Sequence, residues 1–303
     1  MGARRLAVAV SAVIIAASLV SLVARGLNFG LDFTGGYVLE LTYAGEANLA
    51  EIRAVLNEEG FENPLVQNFG TTSEVLVRLP LLAEVEAEAE AGEGDIRTRV
   101  LEALQARDPS VELRRFDFVG PQVGEELTER GGLAMLIALV LIFVYVMLRF
   151  RWKFAAGTIS ALVHDVLVVV GFFSIFGFGF DLTILAAILA TIGYSLNDTI
   201  VVFDRIRENF RLMRRGSAVE VINRSINQML GRTMITSFTT LLVLICLFLL
   251  GGETVSGFAL ALIVGVIVGT YSSIYVASAS ALALNVSPTD LIPPKREEID
   301  SLP

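Results

Sequence analysis

Six long apolar runs divide this sequence, and each is long enough to cross a lipid bilayer as a helix. A spanning helix needs about 20 predominantly apolar residues. The runs lie at about Leu6–Ala24, Gly131–Leu148, Phe154–Phe178, Leu182–Phe203, Thr233–Leu250 and Val255–Leu284. The last run is long enough to include a helical extension or a bend. The pattern therefore predicts an α-helical membrane protein with six transmembrane helices.

The first apolar run follows Arg4 and Arg5, which is also the pattern of a cleaved signal peptide. Its apolar stretch of about 19 residues is longer than a typical signal-peptide core. No clean small-x-small cleavage site follows it. We expect an uncleaved anchor, with the cleaved signal peptide as the alternative.

The segment between the first and second runs, residues 28–130, alternates between strand and helix patterns. The predicted elements are strands Tyr37–Tyr43, Leu65–Phe69, Glu74–Leu79 and Val111–Phe118, and helices Leu49–Glu59 and Asp95–Ala106. Asn48 is the expected cap of the first helix, and Gly70–Ser73 is the expected turn between the middle strands. This β-α-β-β-α-β order predicts a small α+β ferredoxin-like domain.

Charge is distributed unevenly along the chain. The net charge is −9, and residues 28–130 hold 21 Asp and Glu against 8 Lys and Arg, a net of −13. The acidic low-complexity stretch Ala83–Gly94 is interpreted as a solvated insertion, with a docking patch for a basic partner as the alternative. Such acidity excludes nucleic-acid binding, which needs clustered positive charge. One cysteine and one histidine exclude an intramolecular disulfide and a multi-histidine metal site, and no cofactor is expected.

The positive residues of the short loops predict the orientation, because cytoplasmic loops carry an excess of Lys and Arg. All the basic clusters fall on one side when six helices are threaded in order. They are Arg4 and Arg5; Arg149, Arg151 and Lys153; Arg205, Arg207, Arg211, Arg214, Arg215 and Arg224; and Lys295 and Arg296. We expect cytoplasmic termini and an outer domain at 28–130, with a first helix in 1–27, helices 2–6 in 131–284 and a tail at 285–303.

Three sites place charge within the apolar runs, where charge is rare and usually functional. They are His164-Asp165 in the third run, Asp198 in the fourth and Arg232 at the start of the fifth. Asp198 lies six residues before Asp204, about 9 Å deeper along a helix. A carboxyl group whose surroundings alternate between apolar burial and a nearby cation can take up and release a proton. We therefore interpret Asp198 and Arg232 as a proton-relay pair.

Structural roles are the alternatives at each of these sites. Arg232 could extend to the membrane surface, and Asp198 could be a static hydrogen-bonding partner between helices. His164 and Asp165 could equally be structural or part of the relay. The flanking polar residues expected to support the site are Asn197, Thr199 and Thr233.

Small residues recur at every fourth position of the sixth run and form one stripe suited to close helix packing. The stripe includes Gly257, Ala261, Gly265, Gly269 and Ser273. A static packing face is the simpler interpretation, and a sliding surface is the functional one.

Four groups of motifs resemble those of a known family, in the same order along the chain. They are GLDFTGG (Gly30–Gly36), FVGPQVGEEL (Phe118–Leu127), HDV with GYSLNDTIVVFDRIREN (Gly193–Asn209), and NQMLGRT with GTYSS (Gly269–Ser273). The match spans nearly the whole chain, and the longest motif is highly specific. On these residues the chain resembles the SecD–SecF family of bacterial protein-export membrane proteins, in the resistance-nodulation-division superfamily.

The resemblance implies a non-enzymatic subunit that uses the proton-motive force to assist protein export. In the family an Asp of the GYS-x-ND motif and an Arg of the RT motif matter for proton transport, and they correspond to Asp198 and Arg232. It further implies a bacterial inner-membrane location, pairing with SecD as a second six-helix half, association with the SecYEG channel and YajC, and contact with preproteins and membrane lipid. Rival hypotheses are sodium coupling, a proton-coupled exporter of small molecules or lipids, and a purely structural partner of SecD.

Overall fold

The computed structural model describes residues 2, 4–61, 64–69, 71–80, 93–213 and 216–286. The predicted acidic insertion lies almost wholly outside these described residues, as does most of the predicted C-terminal tail. In chain order the elements are α1 (Arg4–Ala24), β1 (Asn28–Phe29), α2 (Leu31–Thr34), β2 (Gly36–Thr42), α3 (Leu49–Glu58), β3 (Leu65–Phe69), β4 (Thr71–Pro80), α4 (Glu93–Gln105), β5 (Glu112–Val119), α5 (Pro121–Arg149), α6 (Trp152–Phe176), β6 (Gly179–Phe180), α7 (Leu182–Leu212), α8 (Ala218–Leu250), α9 (Glu253–Ile274) and α10 (Val276–Ala283).

All six predicted spans are confirmed as helices long and apolar enough to cross a membrane. The sixth is interrupted at Tyr275, since α9 ends at Ile274 and α10 continues from Val276. Three helices are longer than their apolar runs. The apolar pattern marks only the part in hydrocarbon, whereas backbone hydrogen bonds continue to the next cap.

The caps explain where the longer helices start. Pro121 begins α5 at the first helical position, where its missing N–H is not needed. A capping box between Ser217 and Glu220 begins α8 well before the predicted Thr233. At its other end α7 continues past Asp204, whose carboxylate accepts a hydrogen bond from Arg149 of α5 at 2.5 Å.

The domain between α1 and α5 has the predicted ferredoxin-like topology. Its antiparallel sheet has the strand order β3-β4-β2-β5. Side chains of α3 and α4 pack with one face of this sheet into a single apolar core that includes Tyr37, Leu39 and Leu56. As predicted, the Asn48 side chain caps α3 by accepting from the backbone N–H groups of Ala50 and Glu51. The predicted turn Gly70–Ser73 is wrong, because Thr71 already pairs with Phe69 and begins β4.

Two ionisable groups of this domain have shifted pKa values. Burial of the Tyr43 hydroxyl, followed by the charges of Asp108 and Glu51, raises the pKa of Tyr43 to about 12. Hydrogen bonds from the Ser110 side chain and backbone lower the pKa of Asp108. Both groups lie at one end of the sheet, away from the membrane helices.

The GLDFTGG segment joins the outer domain to the membrane helices. Its first residues follow β1, which pairs in parallel with β6 just before α7. Asp32 accepts a hydrogen bond from the backbone N–H of Leu182 at 3.1 Å, at the N-terminus of α7. Gly124 of α5 comes so close to this segment that an added Cβ would lie 2.9 Å from the Phe33 carbonyl oxygen. The motif is therefore held against the starts of both α5 and α7.

Candidate functional site in the membrane

Asp198 lies where three membrane helices meet. From α7, one of its carboxylate oxygens accepts a hydrogen bond from the Thr233 hydroxyl of α8 at 2.8 Å. The other accepts from the Ser273 hydroxyl of α9 at 2.5 Å. Asp198 itself is partly buried. A single carboxylate thus joins α7, α8 and α9 by hydroxyl hydrogen bonds.

Asp165 of α6 is a second carboxylate, and it is completely buried. One oxygen accepts hydrogen bonds from the hydroxyls of Ser195 (2.5 Å) and Ser272 (2.7 Å). The other is 3.0 Å from Nδ1 of His164. Burying a polar group without hydrogen bonds is costly, so this carboxylate needs its three partners for the stability of the fold. The same three contacts are also available for chemistry at the carboxylate.

The two carboxylates share their supporting residues. Ser272, which contacts Asp165, directly precedes Ser273, which contacts Asp198. Ser195, the other donor to Asp165, lies three residues before Asp198, a spacing that places both on one side of α7. We call Asp165, Asp198, Ser195, Thr233, Ser272 and Ser273 the two-carboxylate cluster. It links four helices through side chains that donate or accept hydrogen bonds.

His164 extends the cluster towards α1. Its ring is 3% exposed, and its Nε2 has no hydrogen-bond partner among the described residues. The ring centroid lies 6.2 Å from that of Tyr271. The Tyr271 hydroxyl donates to the Ala7 carbonyl at 2.7 Å and lies 3.0 Å from the Ser11 hydroxyl.

The structure corrects the predicted contact between Asp198 and Arg232. Arg232 is exposed on α8 and forms no ion pair within the part of the chain that is described. The neighbouring Thr233 contacts Asp198 in its place. Successive helical residues point about 100° apart, so the two cannot face α7 together.

Of the three residues predicted to support the site, Thr233 contacts Asp198, whereas Asn197 and Thr199 do not. Asn197 is exposed, and Thr199 is buried with a hydroxyl that has no partner among the described residues. The residues that support the carboxylates include Ser195 and Ser272, which sequence reasoning did not single out. Their signal was present in the GYS and GTYSS motifs.

A second set of hydroxyl contacts connects the same helices. The Tyr194 hydroxyl donates to Ser237 at 3.1 Å, and Ser237 lies 2.6 Å from the Thr270 hydroxyl. Tyr194, Ser237 and Thr270 come from α7, α8 and α9, the helices that Asp198 joins. Repeated polar contacts between these helices favour the rotation that they have in this structure.

The small-residue stripe of α9 lies against α7. An added Cβ at Gly265 would collide with Thr191, and one at Gly269 would lie 3.1 Å from the Ser195 Cβ. At Gly257 it would lie 3.2 Å from Ile184, and Ala261 is fully buried. The close approach that glycine permits brings Ser272 and Ser273 within reach of the two carboxylates.

Comparison with known proteins identifies the family. Residues 99–287 match the model of the SecD/SecF protein export membrane protein C-terminal domain, and residues 20–47 match the SecD/SecF GG motif. Protein translocase subunit SecF of Vibrio alginolyticus is 50% identical over 294 residues, which cover 95% of this chain and 91% of that protein. SecF of Pseudomonas aeruginosa is 48% identical over 306 residues, covering 100% of this chain and 97% of that one.

A solved structure shows the same fold. The crystal structure of SecDF, a translocon-associated membrane protein from Thermus thermophilus, superposes with a TM-score of 0.78 at 40% identity. The match covers 94% of this chain but only 38% of the SecDF chain. The SecDF structure in its super-membrane-facing form gives a TM-score of 0.70. This chain is a multi-pass membrane protein that belongs to the SecD/SecF family of protein-export membrane proteins.

Proposed function

We propose that this chain uses the proton-motive force to assist protein export, with Asp198 as the residue that takes up and releases the proton. The observation that supports this proposal is the two-carboxylate cluster. It holds two acidic side chains within membrane helices, and no cation pairs with either carboxylate among the described residues apart from the titratable His164. Ionisable groups at such depth usually serve ion pathways.

Protonation of Asp198 changes which hydrogen bonds it can accept from Thr233 and Ser273. A carboxylate accepts from both Thr233 and Ser273, whereas a protonated carboxyl group becomes a donor on one oxygen. One hydroxyl must then turn to another acceptor, and Ser273 already has one in the Thr270 carbonyl at 3.0 Å. The contact between α7 and α9 is therefore the one that protonation weakens first.

Arg232 provides the second state of the cycle. It directly precedes Thr233, so a rotation of α8 by one helical position, about 100°, exchanges a hydroxyl for a guanidinium beside Asp198. A permanent cation favours release of the proton from the carboxyl group. Moving one charge through a membrane potential of 100 mV yields about 2.3 kcal/mol, enough to bias two states separated by a few kcal/mol.

The outer domain receives this motion through the GLDFTGG segment. Asp32 accepts a hydrogen bond from the backbone at the start of α7, and α7 carries Asp198 near the middle of its length. A shift of α7 against α9 is therefore transmitted to the base of the ferredoxin-like sheet. Movement of that sheet would help to pull or release the emerging preprotein.

The proposed partners are supported by the family, and the proposed orientation is supported by the charges. The solved relative is named SecDF, and this chain covers a minor part of it, which supports SecD as the second six-helix half. This chain and SecD would together serve the SecYEG channel, and in some bacteria they would also associate with YajC. We place the chain in the bacterial inner membrane with both termini in the cytoplasm and the outer domain on the opposite side, because the basic loops share the side of the termini.

The test is export into inverted membrane vesicles with ATP present and an imposed proton gradient. Replacement of Asp198 by Asn should abolish the gradient-dependent increase in export while leaving ATP-driven export intact. Asp204→Asn, on the same helix near its surface end, is the matched control and should retain the increase. An unchanged increase in the Asp198 variant would refute the proposal.

Sodium is the second candidate ion, because Asp198 is surrounded by hydroxyl oxygens that hard cations also accept as ligands. The same vesicles distinguish the ions when sodium is replaced by choline. Proton coupling predicts that the increase in export persists, and sodium coupling predicts its loss.

A further inference from the structure

A long groove lies between α1, α5, α6 and α10, outside the two-carboxylate cluster. Its volume is about 860 Å³, and its lining includes Val8, Ile15, Phe143, Met147 and Leu167. Among the described lining residues only His164 and Tyr275 have titratable side chains. Such a surface is suited to a hydrocarbon chain and offers little to a water-soluble ligand.

The groove is at least as deep as one leaflet of a bilayer. From Arg4 to Ile15, α1 rises about 16 Å at 1.5 Å per residue. The hydrocarbon core of a bilayer is about 30 Å thick, so one leaflet spans about 15 Å. Along α6 the lining runs from Trp152 to Leu167, a rise of about 22 Å, so the groove begins at one membrane surface and reaches at least the middle of the bilayer.

The mouth of the groove is cationic. A smaller cavity of about 410 Å³ adjoins it and shares Val8, Ala279 and Ala283 with it. Arg4 and Arg5 line this second cavity, and no acidic side chain is among its described lining residues. Neither arginine has an ion pair or a hydrogen-bond acceptor within the described residues. At this end of the acyl-sized groove, neither guanidinium group has a counter-charge among the described residues.

An aromatic residue, Trp152, lies at the same depth in the membrane as Arg4 and Arg5. Trp152 lines the groove and is 56% exposed, with the Lys153 ammonium 6.0 Å from its ring centroid. Tryptophan is enriched where hydrocarbon meets headgroups. Arg4, Arg5 and Trp152 therefore lie at one interface, with the apolar groove leading inward from it.

We propose that this groove binds one anionic phospholipid, with an acyl chain between α1 and α5 and the phosphate group at Arg4 and Arg5. An apolar helix from a partner subunit would fill the groove but would itself supply no counter-charge to either guanidinium group. A zwitterionic lipid would satisfy them only in part. The site takes a ligand from the leaflet on the side of the N-terminus, and it adjoins the two-carboxylate cluster through His164, which lines the groove and contacts Asp165.

The lipid would also brace the two helices that carry the outer domain. The elements β1 to β5 of the outer domain lie between α1 and α5, and the groove separates these two helices. An acyl chain in the groove would contact both and limit their relative motion.

The experiment is native mass spectrometry of the full chain, reconstituted with phosphatidylglycerol or phosphatidylethanolamine and released into detergent. The charge variant is Arg4→Gln with Arg5→Gln, and its matched control is Arg97→Gln with Arg107→Gln in the outer domain. The filling variant is Ala12→Phe, which projects into the groove, and its control is Ala17→Phe, which is exposed elsewhere on α1. Circular dichroism verifies that each variant is helical.

The proposal predicts retention of one phosphatidylglycerol molecule in preference to phosphatidylethanolamine. Loss of both arginines should weaken phosphatidylglycerol binding about thirtyfold, given the usual contribution of each basic residue near an anionic surface. Ala12→Phe should reduce binding of both lipids, and the two controls should bind as the unaltered chain does.

Equal retention of the two lipids, or no difference between the charge variant and its control, would overturn the proposal. So would a disulfide cross-link from Ala12→Cys, in a Cys246→Ser background, to a helix of the partner subunit in the assembled complex. That last result would assign the groove to a protein interface. Because the cluster residue Asp198 is unaltered in all these variants, the outcome is independent of proton coupling.

Discussion

The outer domain and the membrane helices distribute polar groups in opposite ways. In the outer domain the core is built from apolar side chains, and the carboxylates lie at the surface in pairs such as Arg114–Glu74. In the membrane part the exposed side chains are apolar, and Asp165 is completely buried among serines. A carboxylate therefore contributes mainly to solubility in one region and holds helices together in the other. The same substitution should have very different effects in the two regions.

The largest effect is expected from removal of the buried carboxylate. Asp165→Ala leaves the Ser195 hydroxyl without its acceptor and the Nδ1 of His164 without its partner, while Ser272 keeps only the Gly269 carbonyl, and each unsatisfied buried group costs about 1–3 kcal/mol. We expect a loss of about 4 kcal/mol in stability, measured by thermal unfolding in detergent. Glu74→Ala in the outer domain removes a partly exposed carboxylate and should cost less than about 1 kcal/mol. Equal losses would contradict the comparison.

Glycines of two neighbouring helices offer a second contrast. Gly265→Ala places a Cβ against Thr191 of α7 and should destabilise the chain by about 2 kcal/mol through overpacking. Gly193→Ala meets open space on α7 and should stabilise it by up to about 1 kcal/mol, because alanine is the better helix former. Opposite shifts of the unfolding temperature would support the close α7–α9 contact, and shifts of the same sign would count against it.

Smaller effects are expected at the donors to Asp198. Ser273→Ala and Thr233→Val each remove one of two hydroxyl hydrogen bonds and should cost about 1.5 kcal/mol. The double variant should lose more than the sum, because the carboxylate then keeps neither donor. Thermal unfolding of the two single variants and the double variant measures this coupling, and strict additivity would show that the donors act independently.

The smallest effect on stability at neutral pH is expected from a change at Tyr43 in the outer domain. The folded pKa of Tyr43 is raised to about 12 from 10.0, so its contribution to stability is present below pH 10 and is lost as the pH rises towards 12. Hydrogen exchange of the outer-domain amides should show this loss between those values. Tyr43→Phe should remove the pH dependence while leaving exchange at neutral pH nearly unchanged. A variant that keeps the alkaline loss would assign it to another group.

The sequence predicted the architecture well because each architectural feature has a local signal. Apolar runs of about 20 residues identified six spans, and alternation with turn residues identified the ferredoxin-like domain. The boundaries were less predictable, since caps such as Pro121 and Ser217 lie outside the apolar runs. The short strands β1 and β6 carry no local signal, because they exist only by pairing with each other.

The candidate site was predicted only in part. Asp198 and Asp165 stand out because charge is rare in apolar helices. Their hydroxyl partners depend on how each helix is rotated, and a helix that is apolar on all sides gives little indication of its rotation. For the same reason the sequence paired Asp198 with Arg232, where the structure shows Thr233. The charge identified the helix and the sequence placed Thr233 among the supporting residues, but only the packing showed that Thr233 is the direct partner.

The central claim is that Asp198 changes its protonation state. Infrared difference spectroscopy of the full chain in membranes, recorded through a pH titration, detects the carbonyl band of protonated carboxyl groups directly. We predict a band that appears on acidification, is absent in Asp198→Asn and is retained in Asp204→Asn. A band that is unchanged in Asp198→Asn would contradict the account.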